Sequence, residues 1–559
     1  MDKFTAKLQA DVTPKINPLL GNGLAVEHLK RIDEFIDEIF RMASRSYPPG
    51  IKYMGFKRCP PDRAFDEITK RKNNQPQQYD VALSYMKMNE YYFDVGGKMI
   101  TRYMQVPFCG PAGTIYIGGS RMNIFPVLSD RVISVGVSNI FVRLLRARVT
   151  FERNVFRYVA DDEVETVQVV HSQIYHRNPK VRKLKRTVSA NCSLMHYLFC
   201  KYGFTETFEK YGGTVPIVGY GGEINDTKYP PDEWIICRTT GLAPAGTGRQ
   251  YWEKTDIRLA VRRDKYTPMV KNMIGGFFYV CEYFPTLMIP DYIDSLHRWK
   301  VLMGHIIFSG TIGAGKLHDD IDDHIKSLDE YLDSLVKDQL KNIGIHVEDF
   351  YDLMALIVEK YDTWIIENAD KVNSMHGKEL NVLYYLCFDI TSEIFKMMFK
   401  LRAAYKSKGE ITVKVATDIM NATIKTGKAF KINRDHGEVS SVSYSGDNKA
   451  FKITQTLVPQ SGSNRVGSKK DRAVIDDPTK ALHISIAEVG SHSNIPKSDP
   501  SGHARLNLTQ EINPDGSTKR REDRIPLYDE VQALFQHKRW TGVSPLSEEE
   551  DVDFNKDHE

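Results

Sequence analysis

The hydrophobic pattern changes period partway along this chain, and no other feature limits its fold as much. Between residues 76 and 170 the apolar residues are β-branched and aromatic. They come in short runs punctuated by Gly and Pro: YYFDVGGKMITRYMQVPF, GTIYIGGSRMNIFPV and NIFVRLLRARVTFERNVFRYV. Such runs predict strands joined by tight turns. From 319 to 405 the pattern is helical, in IDDHIKSLDEYLDSLVKDQL, VEDFYDLMALIVEKYDTWI and, after a break at Met375-His376-Gly377, ELNVLYYLCFDITSEIFKMMFKLRAAY. Residues 24 to 45 carry Leu, Ile and Phe at three- and four-residue spacing and predict an amphipathic helix. Residues 189 to 211 predict a short helix, a Gly turn and a second short helix, with Thr205 as a candidate cap. A chain of 559 residues is several times one domain in length. The expectation is therefore an α+β, multidomain protein.

Composition narrows the class. Apolar residues at 41% and charged residues at 26% are ordinary for a globular chain and exclude collagen-like, coiled-coil and wholly disordered forms. Seventy-six Lys plus Arg against seventy-two Asp plus Glu leave a net charge of +4, so any nucleic-acid contact must come from local clustering. Seven widely spread cysteines without a C-x-x-C spacing argue for a reducing compartment and against a disulfide framework or a structural zinc site. The opening MDKFTAKLQADVTPKI lacks the apolar core of a signal peptide. The most apolar stretch, IGGFFYVCEYFPTLMIP, is broken by Glu282 and two prolines and is too short to span a bilayer. A cytoplasmic protein with no membrane partner is expected. From about 430 onward Gly, Ser, Asn and Asp dominate, and SPLSEEEDVDFNKDHE forms an acidic tail.

Several strings suggest chemistry. Gly310-Thr-Ile-Gly-Ala-Gly315-Lys316 follows the apolar run His305-Ile-Ile-Phe and precedes a helix, as a phosphate-binding loop does, but Leu317 stands where a magnesium-binding hydroxyl is needed. A Gly-rich strand-to-helix turn is the favoured reading, with a solitary NTPase as the functional one. In His318-Asp-Asp-Ile-Asp-Asp-His324 the pairs His318/Asp322 and Asp320/His324 have metal-ligand spacing, but no third-ligand motif accompanies them and no metal is expected. His483, His492 and His503 lie near serines without a nucleophile elbow, so a hydrolytic triad is unsupported. Basic residues cluster at Arg143, Arg146 and Arg148, at Arg177, Lys180, Arg182, Lys183, Lys185 and Arg186, and in loop-like sequence at Arg465, Lys469, Lys470 and Arg472. Such clusters suit phosphate contacts that read no sequence, and equally suit solvated basic loops.

The order of segments resembles the N-terminal half of the β (second-largest) subunit of multisubunit DNA-directed RNA polymerases. Gly113-Thr-Ile-Tyr-Ile-Gly-Gly-Ser120-Arg121 is similar to that family's G-x-F-I-I-N-G-S-E-R/K-V segment, with Gly118 in place of Asn. LMHYLFCKYGFTETFEKY resembles its paired lobe helices. Asn373-Ser-Met-His376-Gly377-Lys378-Glu-Leu380 resembles D-H-x-G-N-K-R-L, with the Asn-Lys-Arg core reduced to Lys378 and Glu379. Ala422 to Gly427 and Gly437 to Ser440 resemble the segments leading into the fork, and residues 443 to 461 take the place of the fork loop without its His-Arg-Arg. Leu482-His483, Gly490, Pro496 to Gly502 and Leu506-Asn507-Leu508 resemble L-H-x-x-x-x-G…P-x-E-T-P-E-G…G-L, with Ser498 and Ser501 replacing both glutamates.

The resemblance spans roughly 75 to 512 and implies a split β subunit of the kind found in giant tailed phages, working in the host cytoplasm. It implies protrusion-like segments at 1–135 and 326–405, a sheet-rich lobe-like segment at 136–325, a loop-rich fork-like region at 406–540 and the acidic tail at 541–559. The chain would be part of a nucleotidyltransferase and form one side of its DNA cleft, with no catalytic residue and no cofactor of its own. Magnesium would sit on a partner subunit. The implied partners are the C-terminal β part, the β-prime parts, template DNA and the RNA–DNA hybrid. Loop position and charge make Lys449, Lys452, Arg465, Lys469, Lys470, Arg472, His503 and Arg505 the candidate nucleic-acid contacts. The competing expectation is a non-enzymatic nucleic-acid-binding or virion scaffold protein.

Overall fold

The computed structural model describes residues 24–69, 83–172, 192–240, 255–425 and 512–518, less short breaks at 111–112, 125, 137, 145–147, 285–286, 309–313, 330–331 and 369–373. It also describes Leu19, Ser485 and the backbone of 441–443, 457–459 and 503–505. Two hydrophobic cores organise these residues, and the chain crosses between them twice.

The first body draws its core from residues 25–124 and 382–424. After the short α1 (Leu24–Lys30), α2 (Ile32–Ser44) buries Ile32, Phe35, Ile36, Ile39, Phe40 and Ala43, the stripe that its spacing predicts. That stripe lies on an antiparallel sheet of β1 (Ile51–Arg58), β2 (Met86–Val95) and β3 (Lys98–Pro107). Phe40 meets Tyr53, Tyr91 and Phe93 there, with ring centroids 4.9–5.7 Å away. The short α3 (Pro61–Thr69) is tied to the sheet by Arg63, which donates to the buried Glu90 at 3.1 Å. The hairpin of β4 (Thr114–Ile117) and β5 (Ser120–Ile124) turns through Gly118-Gly119, whose φ values of 55° and 80° suit glycine at both central positions.

The chain then passes through β6 (Val127–Asp130) into the second body, whose core runs from Val132 to Ile365. Its antiparallel sheet has the order β11 (Cys192–Ser193), β10 (Glu163–Ser172), β9 (Arg148–Ala160), β13 (Trp234–Thr239), β14 (Ile257–Arg262), β12 (Ile217–Tyr220). The start of β9 also pairs with β8 (Asn139–Arg143), which pairs with β7 (Ile133–Val135). Helices cover the sheet: α4 (Leu194–Thr207), α5 (Pro268–Tyr283), α6 (Leu296–Phe308), α7 (Ala314–Leu328), α8 (Ser334–Asn342) and α9 (Phe350–Glu367). Phe199, Phe204, Phe277 and Trp299 form an aromatic knot, with Phe199 4.7 Å from Trp299 and Phe204 4.9 Å from Phe277. Burying side chains of this size contributes roughly 1.5–3 kcal/mol each.

The return crossing is β15 (Lys378–Asn381), antiparallel to β6, followed by α10 (Leu383–Leu386), α11 (Phe388–Lys408) and α12 (Val413–Thr423) in the first core. The result is an α+β architecture in more than one body. Among the described residues every strand pair is antiparallel, all seven cysteines are free, and no helix is long and apolar enough to cross a membrane.

Three local expectations are corrected. Lys378 to Asn381 is a strand, not the start of a helix, because β6 offers it a pairing edge. The run His305–Phe308 ends α6, so the Gly-rich stretch after it joins two helices and lacks the strand that a phosphate-binding loop requires. Thr205 is not a cap. The turn falls at Gly203 (φ 83°), as expected, but the following helical turn is capped from outside by Asp294, which accepts from the Thr205 amide and hydroxyl, both at 2.7 Å.

Candidate nucleic-acid interface and its anchoring junction

Lys449, Lys452, Arg465, Lys469, Lys470 and Arg472 lie outside the described residues. His503 and Arg505 are the two ends of β18 (His503–Arg505), antiparallel to β17 (Leu457–Pro459), with His503 opposite Pro459 and Arg505 opposite Leu457. The cluster Arg177 to Arg186 also lies outside, as does Arg146, and of Arg148 only the backbone is described. Arg143, expected in a basic surface cluster, is a correction: its side chain is 11% exposed and committed to an internal ion pair.

The structure does describe where the 437–518 stretch is fastened. β16 (Ser441–Ser443) adds to β5 as a third strand, Ser441 opposite Ile124 and Ser443 opposite Met122. β17 runs beside β6. The Ser485 hydroxyl is buried and accepts the Met375 amide at 2.8 Å. Residues 512–518 form a turn whose Gly516 carbonyl accepts the Leu380 amide at 2.8 Å, with Ser517 bridging to Glu379. All four attachments fall on the Gly113–Arg121 hairpin and its strand, or on the 373–381 segment and its partner β6.

The junction that the other three reach is the two-stranded ribbon of β6 and β15 with the Met375 turn before it, and its polarity is unusual for a buried place. Arg143 pairs with Glu379, which is 8% exposed on its side chain. Arg143 also donates to Ser129 Oγ at 2.7 Å and to the Asp130 carbonyl at 2.9 Å, and lies 5.3 Å from the centre of the Tyr384 ring. Burial would lower the guanidinium pKa, but the Glu379 charge and hydrogen bond, together with the Tyr385 and Tyr384 hydroxyls, outweigh this and leave it raised. Lys378 pairs with Asp130 across the same ribbon. His28 of α1 contacts the Pro514 carbonyl through Nε2 at 3.1 Å. Burial holds its pKa down at about 4, so the ring is neutral at pH 7 and donates this bond. A small apolar cluster of Leu24, Leu128, Met375, Leu380 and Ile512 fills the space beneath. Sequence reasoning missed Arg143 and Glu379 as partners. No local signal paired them, since Glu379 stands in the polar run His376-Gly-Lys-Glu379 and Arg143 lies more than two hundred residues away.

The acidic run in α7 is used for packing. Asp322 lies between Lys300 (2.6 Å) and Lys326 (2.5 Å). Burial would raise its pKa, but the two ammonium groups hold it down at about 2. Asp323 pairs with Arg402 and Lys406 of α11 in the other body. His324 Nε2 meets the Tyr197 hydroxyl at 3.2 Å, and the His318 ring lies 4.5 Å from that of His297. Among the described residues no three His, Cys, Asp or Glu are grouped to hold a metal. Leu317, after Lys316, is a core residue.

No curated protein matches this sequence. A family model described as non-virion RNA polymerase subunit matches residues 2–519, which takes in both bodies, the junction and the stretch that carries the candidate contacts. The chain therefore belongs to the non-virion RNA polymerase subunit family.

Proposed function

We propose that this RNA polymerase subunit is the counterpart of the N-terminal half of a β subunit and forms one side of the DNA cleft. In this reading 1–135 and 326–405 are protrusion-like, 136–325 lobe-like, 406–540 fork-like and 541–559 an acidic tail. The observation that carries it is the convergence on the ribbon and on β5, the strand that leads into it. Segments that resemble β in order along the chain are also neighbours in space: β5, which continues the Gly113–Arg121 segment, holds β16 through Met122–Ile124, and the 373–380 segment holds Ser485 and residues 512–518. A scaffold that merely shared scattered motifs would have no reason to assemble them at one place.

The chain contributes shape and charge, and its partners contribute the chemistry. The C-terminal β part and the β-prime parts complete the enzyme in the cytoplasm, and magnesium sits on a partner subunit, where it stabilises charge during nucleotidyl transfer. Lys449, Lys452, Arg465, Lys469, Lys470, Arg472, His503 and Arg505 hold template DNA and the RNA–DNA hybrid through phosphates, as an enzyme that must accept any sequence requires. Affinity purification of the tagged chain, with partner identification and a promoter-independent RNA synthesis assay, tests the reading. The expected result is co-purification of large subunits with RNA synthesis. Replacing the six Lys and Arg of 449–472 by Ala should weaken binding on any template and flatten its salt dependence by about 0.9 log unit for each phosphate no longer neutralised. A self-assembled, inactive chain would favour the scaffold alternative, and ATP hydrolysis by the chain alone, abolished by Lys316→Ala, the NTPase.

A further inference from the structure

The two bodies have separate hydrophobic cores, and among the described residues the chain crosses between them only at β6 and in the segment ending in β15. These two strands, four residues each, pair with one another. A two-stranded ribbon of this length is marginal by itself. It is completed by Ile512–Thr518, which touches both of its strands and the first helix. The Gly516 carbonyl accepts the Leu380 amide at 2.8 Å, Ser517 bridges Glu379, Ile512 packs with Leu128 and Leu380, and Pro514 accepts from His28 of α1. Asn513 Nδ2 donates to Ser517 Oγ at 2.9 Å, and the Ser517 amide donates to Asp515 Oδ1 at 2.9 Å, so the turn is rigid in itself. Gly516 has φ 90°, and a Cβ placed there would collide with the Leu380 carbonyl. Only glycine lets the turn lie this close.

We infer that residues 512–518 are a strap that sets the angle between the two bodies: docked, it joins α1 to the ribbon and fixes the hinge, and released, it lets the bodies turn about β6 and β15. A direct tie between the bodies away from the ribbon, Asp323 with Arg402 and Lys406, is partly exposed, with Lys406 at 56%. Exposed ion pairs are too weak to hold an angle on their own. The fork-like stretch runs through this strap, so its position and the opening between the bodies are coupled. This inference rests on the junction alone and stands whichever polymerase subunit the chain resembles.

The test uses the full chain with spin labels on the exposed Lys57→Cys and Lys337→Cys, one on each body, and measures the distance distribution between them. The parent should give one narrow distribution. Gly516→Ala should broaden it and raise exchange of the Leu380 amide at least tenfold, while amides of the β9–β10 ladder stay unchanged. Ile512→Asp, which alters the strap without backbone strain, should do the same. A narrow, unshifted distribution in either variant with the Leu380 amide deprotected would overturn the inference. So would loss of β9–β10 protection in both, which would make the turn an ordinary part of the second core.

Discussion

The pair Arg143–Glu379 should hold the ribbon together, and the structure fixes how much each partner's removal costs. Both side chains are nearly buried, at 11% and 8% exposure, where breaking a pair typically costs about 3–5 kcal/mol. Glu379→Ala leaves Arg143 with Ser129 Oγ, the Asp130 carbonyl and the Tyr384 ring, so the low end applies, about 3 kcal/mol. Arg143→Ala leaves Glu379 with Asn381 Nδ2 at 3.3 Å, so the cost should be larger, about 4 kcal/mol. Replacing both, Arg143→Met with Glu379→Leu, removes the uncompensated charge and should cost about 1 kcal/mol or less. With two cores, global unfolding is not expected to be two-state, so the readout is native-state hydrogen exchange at the β6 and β15 amides. A loss of 3 kcal/mol is about a hundredfold faster exchange there. If Glu379→Ala speeds exchange less than about threefold, or the double variant costs as much as either single one, the pair does not hold the ribbon.

Gly275→Ala in α5 should destabilise the second body, although alanine is the better helix former: the propensity gain of about 1 kcal/mol is outweighed because the new Cβ runs into Val167, at a cost of about 1–3 kcal/mol. Faster native-state exchange of the β9–β10 amides, with those of β2–β3 unchanged, checks it. The β9–β10 turn holds Asp161 and Asp162 at φ 50° and 62°, so Asp162→Gly should stabilise the hairpin by about 0.5 kcal/mol, since about 1 kcal/mol of relieved strain exceeds the value of its exposed pair with Arg238. A decrease in protection of the β9–β10 amides would contradict this. His28 and His196 are held by burial at about 4, against 6.5 in the unfolded chain. The folded state therefore binds fewer protons between those values, and stability falls as pH drops from about 6.5 to about 4, by on the order of 3 kcal/mol per histidine. Leu380 amide protection should fall over this window and fall less in His28→Gln.

What could be read from the sequence was whatever short-range physics decides. The stripe on α2 and the paired glycines at 118–119 are dictated within a few residues, so helix and hairpin were legible. Lys378 to Asn381 was not, because four residues before an apolar helix carry no period of their own. Their strand state comes from β6 and Gly516, far away in sequence. The same holds for His305–Phe308, a short apolar run that periodicity cannot assign, and for the Thr205 turn, whose cap is supplied by Asp294. Charge counting placed Arg143 on the surface because it cannot see a carboxylate from another segment. The candidate contacts at 449–472 came from the resemblance and from loop charge, and of that stretch only the backbone of 457–459 is described.

The polarity of the ribbon follows from its length. Four residues per strand give two inward positions each, too few for an apolar alternation to reject a shifted register. A slip by one residue would turn Glu379 to the opposite face from Arg143 and separate Lys378 from Asp130, leaving charges buried without partners. The same slip would turn Leu380 away from its small apolar cluster, and the charges left unpaired add the larger penalty. The ribbon therefore gives up some stability for a single register, and that register passes outward. It fixes where β15 presents Leu380 to Gly516, and through the strap where α1 meets the ribbon. In an RNA polymerase subunit, which works against partner subunits, the relation between two separately packed bodies then rests on a handful of charges at the place where the chain crosses between them.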